Sequence, residues 1–203
     1  MRPDDLGGRL PLLAPDALTE EQRQLHDAME KTIVPEAERG GFVARLDDGR
    51  FIGPFNALLR APALAAGFGQ WTARIGQAGL PEDVRQVVIL AVGTAWAAEY
   101  ELYAHVAAAR AENVPQTAID AILGGTEPID AGDEARVAYR LAVAVVQERS
   151  VPQGTYEEAI AAFAPDGVMT LLSLIAQYQF VSSVLTCFEV PSPSRDDDGR
   201  KSM

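Results

Sequence analysis

The chain has a single cysteine, Cys187, among its 203 residues. One cysteine cannot form an intrachain disulfide and cannot supply the two thiols of a CxxC redox motif. Because disulfide-free chains are typical of reducing compartments, we expect a cytoplasmic protein. Cys187 ends a long apolar stretch, so we expect an inert core thiol rather than a nucleophile.

Basic residues are also scarce. The 17 lysines and arginines stand against 29 acidic residues, which gives a formal net charge of −12. They form no basic run, so we expect neither nucleic acid nor an anionic membrane surface as a partner. The chain has two histidines and no HExxH, CxxC, P-loop, GxGxxG or GxSxG motif. This pattern offers no metal site and no phosphate-binding loop.

Charge itself is missing from one long stretch, residues 167–188. Its length suits a membrane span, but serine and glutamine residues are scattered through it and no Lys or Arg flanks it closely. We therefore expect a helix buried in the core or at an oligomer interface, and no membrane segment. The N-terminal residues lack a continuous apolar segment, so we expect no secretory signal.

The apolar residues recur mostly at helical spacing, and no segment shows the sustained alternation of a β-strand. The fold class we predict is all-α, in a single domain. We expect a helix that begins after a capping box at Thr19 and ends before Pro35, followed by a loop over 36–53. Further helices are predicted at 62–78, 81–94, 97–112, 116–123, 130–149, 155–163 and 166–188.

The chain divides into three parts by composition. Residues 1–18 are rich in proline and glycine and indicate an extended arm. Residues 19–190 carry the helical domain. Residues 191–203 are polar and charged, which predicts a disordered tail.

Glu101 and His105 are the candidate functional pair. Their i,i+4 spacing places a carboxylate beside an imidazole on one helix face, whereas Glu99 points elsewhere. A carboxylate that accepts the imidazole N–H fixes the tautomer and favours the protonated ring, which suits a general acid/base. A purely structural pair that contributes a few tenths of a kcal/mol remains the alternative.

Three segments resemble the carboxymuconolactone decarboxylase family, within the superfamily that includes the AhpD alkylhydroperoxidases. The segments are GPFNALLRAP at 53–62, LPEDVRQVVILAVGTAWAAEYELYAHV at 80–106 and FEVPSP at 188–193. The resemblance implies an all-α, AhpD-like fold. It also implies a homo-oligomer, either a trimer, a hexamer or a dimer.

The superfamily has a peroxidase branch and a decarboxylase branch, and the residues of this chain can be compared with both. The two cysteines of the peroxidase branch fall on Ala98 and Glu101, its histidine on His105 and its upstream glutamate on Gln86. Three of these four positions depart from the pattern, so thiol peroxidase chemistry is disfavoured. The decarboxylase branch uses a histidine as acid/base on a carboxylated γ-lactone from aromatic catabolism, and it needs no metal or organic cofactor.

These observations predict a cofactor-free lyase, a decarboxylase or a related enzyme, for a small carboxylate-bearing molecule. His105 is its expected general acid/base and Glu101 the residue that orients it. Six residues are expected to contact the substrate as neutral donors, as cations or as pocket wall: Asn56, Gln177, Arg74, Arg85, Trp71 and Trp96. An alkylhydroperoxidase or peroxiredoxin-like activity and a non-catalytic oligomeric binding protein are the alternatives.

Overall fold

Eight α-helices account for most of residues 6–193, which are the residues that this computed structural model describes. No β-strand occurs in this range, where Arg45 and Phe51 form an isolated bridge. The predicted all-α class is therefore confirmed. The helices are α1 (Glu20–Gly40), α2 (Pro54–Leu58), α3 (Pro62–Gly76), α4 (Glu82–Trp96), α5 (Glu99–Ala111), α6 (Gln116–Leu123), α7 (Asp133–Val143) and α8 (Gln153–Cys187).

The two ends of the chain are described only in part. Residues 6–18 form the arm, which contains a 3₁₀ turn at Pro15–Ala17. Of the predicted tail, residues 191–193 are described and non-helical, and 194–203 lie outside the described residues, as do 1–5. The expected division into arm, domain and tail stays a prediction.

Helix α1 begins as predicted but ends later. The Thr19 side chain accepts a hydrogen bond from the Gln22 backbone N–H, and the Gln22 side chain accepts one from the Thr19 backbone. The expected end at Pro35 is wrong, since the helix continues to Gly40. Proline removes one intrahelical hydrogen bond, and the buried Ala37 beyond it keeps the last turns packed. The expected loop over 36–53 shortens accordingly.

Helix α4 is the centre of the core. Its residues from Val84 to Val92 are buried apart from Arg85, and it packs against both α7 and α8. A helix that is apolar on all sides has to be covered on all sides. The predicted break over 94–97 is confirmed, because Ala97 has left-handed backbone angles (φ 50°) that end α4 just before α5.

The second half of the chain departs from the predicted helix boundaries. Helix α7 begins after Gly132 rather than at Asp130, and it continues into a π-helical turn at Ala144–Glu148. Neither Thr155 nor Asp166 caps a helix, since α8 begins at Gln153 and runs through both positions. The expected interruption between them appears as a kink at Ala164 (φ 53°, ψ 172°), directly before Pro165.

Helix α8 is long and apolar enough to cross a membrane by length and composition alone. One of its faces packs in the core through buried residues such as Leu171, Leu174 and Ile175. The Phe180 ring lies on the outside, 5.0 Å from the Phe68 ring of α3. Helix α8 is thus a core helix with an uncovered side.

Helix α3 continues this uncovered apolar surface. Leu64 is 77% exposed and Trp71 is 48% exposed, at the same side of the helix as Phe68. We call the surface of Leu64, Phe68, Trp71 and Phe180 the α3–α8 face. Exposed apolar surface of this extent usually marks an interaction site.

Two expectations about single residues are wrong. His26, expected in solvent, is buried: its Nε2 lies 2.9 Å from the Gly49 carbonyl oxygen and its ring packs on Phe51. The loop after α1 folds back over it, which its polar neighbours in sequence do not reveal. Cys187, expected in the core, is exposed because it is the last residue of α8.

Candidate functional site

Glu101 and His105 lie together on α5, as their spacing predicts. Oε1 of Glu101 is 3.3 Å from Nε2 of His105. Glu101 is 3% exposed and the His105 side chain is 17% exposed. Helix α4 passes close to Glu101 because Gly93 has no side chain: a Cβ there would lie 3.2 Å from Glu101 Cγ. The carboxyl group is therefore enclosed between α4 and α5, and the imidazole lies nearer the surface.

Gln86 of α4 holds the other side of the imidazole. Its Oε1 is 2.9 Å from Nδ1 of His105, and Gln86 is itself buried. Because a carbonyl oxygen only accepts hydrogen bonds, this contact places the ring proton on Nδ1. Nε2 is then the unprotonated nitrogen, and it faces Glu101.

Tyr178 of α8 covers the ring from a third side. The Tyr178 and His105 rings meet edge to face with 5.1 Å between centroids. Burial, followed by the negative charge of Glu101, raises the pKa of Tyr178, which keeps its phenol protonated. The imidazole is thus held by residues from three helices, and its orientation is restricted.

Burial determines the charge of the pair. It raises the pKa of Glu101 from 4.5 to about 8. Burial, followed by the positive charge of Arg85, lowers the pKa of His105 from 6.5 to about 3. Burial therefore favours a protonated carboxyl group and a neutral ring. The expectation that Glu101 favours a protonated ring is wrong, because desolvation of both groups outweighs their mutual attraction.

Two buried side-chain oxygens, one on α5 and one on α8, lack hydrogen bonds. Oε1 of Glu101 and Oε1 of Gln177, one residue before Tyr178, have no hydrogen-bond partner within residues 6–193. Buried polar atoms are nearly always satisfied, so such atoms are where a water molecule or a ligand binds. The arrangement offers an acid, the Glu101 carboxyl group, beside a base, the Nε2 lone pair.

The predicted cations differ in their relation to the pair. Arg85 lies close enough for its charge to lower the pKa of His105, and its Nη1 donates to Glu82 at 2.6 Å. Arg74 is exposed at the end of α3, where it contacts Gln77. Arg85 is therefore the better candidate for binding an anion at this site.

Asn56 holds the N-terminal arm through its side-chain amide. Its Oδ1 accepts from the Leu13 backbone N–H at 3.0 Å, and its Nδ2 donates to the carbonyl oxygens of Leu10 and Pro11. The arm thus engages both the oxygen and the nitrogen of this amide, and the substrate contact of Asn56 stays a prediction. A residue that follows a predicted loop gives no indication of such a contact in the sequence.

The two tryptophans lie apart from the pair. Trp71 belongs to the α3–α8 face. Trp96, at the end of α4, lines a cavity of about 480 Å³ that neither Glu101 nor His105 lines. Of the predicted site residues, the structure brings together Glu101, His105 and Arg85, and Gln177 precedes Tyr178 on α8. Four others lie outside this contact network: Asn56, Trp71, Arg74 and Trp96.

Gln86 and Tyr178 contact His105 and are not among the predicted site residues, although the resemblance places the upstream glutamate of the peroxidase branch at Gln86. Gln86 has a signal in the sequence, since it is the one uncharged polar residue within the apolar segment 84–92. Its contact with His105 spans 19 residues and depends on how α4 packs against α5. Tyr178 has no local signal that distinguishes it from an ordinary core aromatic.

Comparison with known proteins covers the part of the chain that carries the pair. The model of the carboxymuconolactone decarboxylase family matches residues 62–144, which contain Gln86, Glu101 and His105. No curated protein sequence matches the chain. A match to a family named for an enzyme supports an enzymatic role.

Two solved structures share the fold. One is the alkylhydroperoxidase AhpD core of an uncharacterized peroxidase-related protein from Ralstonia eutropha JMP134, with a TM-score of 0.71 and 16% identity over 98% of this chain and 96% of that one. The other is a cysteine-to-alanine variant of the debrominase Bmp8 in complex with 2,3,4-tribromopyrrole, with a TM-score of 0.68 and 15% identity over 92% and 94%. Residues 62–144 thus match the carboxymuconolactone decarboxylase family model, the described chain has the AhpD-like fold, and its sequence contains no CxxC motif.

Proposed function

We propose that the protein is a cofactor-free acid/base enzyme, a decarboxylase or a related lyase, that acts on a small carboxylated lactone or a similar aromatic-catabolism intermediate. The observation that carries this proposal is the buried Glu101–His105 pair, in which a carboxyl oxygen of Glu101 lies 3.3 Å from Nε2 of His105 and burial raises the pKa of the acid and lowers that of the ring. Such a pair donates and accepts a proton at neighbouring atoms without any change in its own net charge.

Decarboxylation needs an acid that protonates the substrate carbon, and Glu101 is that acid in our proposal. The bond from carbon to the substrate carboxylate breaks, carbon dioxide leaves, and the electron pair moves into the conjugated carbonyl. The carbon then takes the proton of Glu101, and the resulting carboxylate is reprotonated from solvent through His105. The more exposed imidazole suits this exchange, because its edge is the part of the pair that solvent reaches.

The negative charge of the substrate needs a partner in this acidic chain. Arg85 is that partner in our proposal, because its guanidinium acts electrostatically on His105 and its Nε is buried without a hydrogen bond within the described residues. Gln177 and Tyr178 supply neutral hydrogen-bonding groups from α8. Oxyanions that form during the reaction are stabilised by such preorganised groups.

A screen of carboxylated lactones and β-keto acids for release of carbon dioxide tests the proposal. We expect turnover of at least one compound by the wild type and its loss in His105→Ala. Retained turnover in His105→Ala, with the fold intact by circular dichroism, would contradict the proposed chemistry.

Thiol peroxidase activity is the alternative within the superfamily, and the sequence disfavours it. Ala98 and Glu101 occupy the positions at which the resemblance places the two thiols, and Cys187 lies at the end of α8. The ligand of the debrominase Bmp8 structure is a small planar ring. This supports a small cyclic substrate for the present protein without favouring dehalogenation.

The protein also forms a homo-oligomer in our proposal, through the α3–α8 face. Leu64, Trp71 and Phe180 are too exposed for residues of their size unless a second copy covers them. Native mass spectrometry of the wild type and of Leu64→Glu tests this, with Glu99→Gln on α5 as a control. A monomeric wild type would contradict it and would leave the acid/base proposal intact.

A further inference from the structure

A second candidate site is the cavity of about 480 Å³ that Trp96 lines. The π-helical turn Ala144–Glu148 contributes Val145, Val146 and Gln147 to its wall. Arg149, directly after that turn, and Gln179, on α8, contribute polar groups. This volume suits a molecule of one or two rings. Since the Glu101–His105 pair does not line the cavity, it is separate from the site described above.

Arg149 is the group that indicates a ligand. Its side chain is exposed and forms no ion pair or hydrogen bond within residues 6–193, although the chain has 29 acidic residues. By contrast, Arg140 on α7 pairs with both Glu127 and Glu158. A guanidinium without a partner at the edge of a cavity is suited to bidentate binding of a carboxylate.

The backbone at Arg149 supports the same interpretation. Its φ of 53° is left-handed, a conformation that glycine adopts at lower cost at the end of a helical turn. Strained non-glycine residues are enriched at binding sites, where the side chain has a use that offsets the strain. Here the arginine side chain reaches the cavity, which a glycine would leave without a cation.

The remaining wall of the cavity fits a flat apolar body. Trp96 packs against two parts of the hydrophobic core, so its indole is held in place as a rigid surface. Aromatic rings stack on such a surface or meet it edge to face. Val145 and Val146 add apolar area, and the amides of Gln147 and Gln179 are available to polar substituents.

We propose that this cavity binds a small aromatic carboxylate, with the carboxylate on Arg149 and the ring against Trp96. The proposal does not depend on the proposed function of the Glu101–His105 pair. Because Arg149 is exposed, we expect binding to weaken as the salt concentration rises.

Benzoate is the probe that tests the proposal. Trp71 and Trp96 are the two tryptophans of the chain, so Trp71→Phe leaves Trp96 as the only indole reporter. We expect a saturable change in Trp96 fluorescence with benzoate and a much weaker response to neutral benzamide. Arg149→Gln should raise the dissociation constant about 10- to 100-fold, as loss of a charged hydrogen-bonding partner does. Arg39→Gln, which removes an exposed arginine of α1, is the matched control and should leave it unchanged.

Two further variants make the result decisive. Arg149→Gly should bind as weakly as Arg149→Gln while melting at the same or a higher temperature, because it relieves the left-handed backbone. His105→Ala should bind benzoate as the wild type does, which separates this cavity from the acid/base pair. Absence of saturable binding by fluorescence and calorimetry up to about 10 mM benzoate, or unchanged binding in Arg149→Gln, would overturn the proposal.

Discussion

Gln86 Oε1 lies 2.9 Å from His105 Nδ1, and this contact between α4 and α5 determines which ring nitrogen is the base. With the proton held on Nδ1, the lone pair of Nε2 points toward Glu101, 3.3 Å away. A neutral acid and a neutral base therefore face each other inside the protein. An i,i+4 pair on an exposed helix would instead be a solvated ion pair of small energetic value.

The tautomer is directly measurable. In the wild type, ¹⁵N NMR of the imidazole should show a protonated Nδ1 and an unprotonated Nε2 at neutral pH. Gln86→Met removes the acceptor, so the population should move toward the Nε2–H tautomer. Gln70→Met, at an exposed position of α3, is the control. An unchanged ¹⁵N spectrum in Gln86→Met would show that Gln86 does not fix the tautomer.

Stability should depend on pH through the same pair. The pKa of Glu101 is higher in the folded protein, at about 8 against an ordinary 4.5, so the folded state binds more protons between these values. The contribution of Glu101 to the free energy of unfolding is therefore complete below pH 4.5, and it is lost as the pH rises toward 8. The lowered pKa of His105 has the opposite sign, so its contribution is lost as the pH falls from 6.5 toward 3. The two effects oppose each other between pH 4.5 and 6.5, and Glu101 dominates above 6.5.

Melting temperatures of the wild type and Glu101→Gln between pH 4 and 9 test this linkage. The variant should gain relative stability as the pH rises from about 4.5 to 8, because it has no carboxyl group to ionise in the core and keeps the contribution of His105. Glu99→Gln, on the exposed side of the same helix, should follow the wild type. A difference between wild type and Glu101→Gln that stays constant with pH would contradict the raised pKa.

Gly53 packs directly against the ring of Tyr100, the residue before Glu101. Its φ of 63° and ψ of −146° suit glycine, and a Cβ there would lie 2.3 Å from the Tyr100 ring. Gly53→Ala should therefore destabilise the protein by about 3 kcal/mol, from backbone strain and overpacking together. Gly41→Ala has a similar φ of 72° but open space around it, and should cost only about 1 kcal/mol. Equal losses in chemical denaturation would refute the role of Tyr100.

We expect no dithiol peroxidase activity. That chemistry needs a low-pKa thiol and a resolving partner, and one exposed cysteine at the end of α8 provides no such pair. A peroxide-reduction assay with a dithiol donor measures it. Peroxide reduction by the wild type that Cys187→Ser abolishes would be the contrary result.

The sequence predicts the parts of this structure that local spacing determines. The break at Ala97 follows from weak helix formers near the end of α4, and the proximity of Glu101 to His105 follows from their position one turn apart. Both depend on neighbouring residues alone. The family resemblance adds the fold, which the comparison with solved structures confirms.

Features that depend on tertiary packing are not predictable in this way. The continuation of α1 past Pro35 depends on the burial of Ala37, and the burial of His26 depends on the loop that covers it. The neutral state of Glu101 depends on its enclosure by α4, which outweighs the attraction that the i,i+4 spacing suggests. Burial, rather than the identity of the paired residues, decides the charge of this site.

Turnover by Glu101→Gln and His105→Ala, measured against Glu99→Gln on a substrate from the screen, tests the central claim most directly. If the carboxyl group is the acid and Nε2 the base, each variant at the pair should lose about 10²- to 10⁴-fold in kcat. Glu99→Gln should keep the wild-type rate, and all three should remain folded by circular dichroism. Full turnover in either folded variant of the pair would contradict the account.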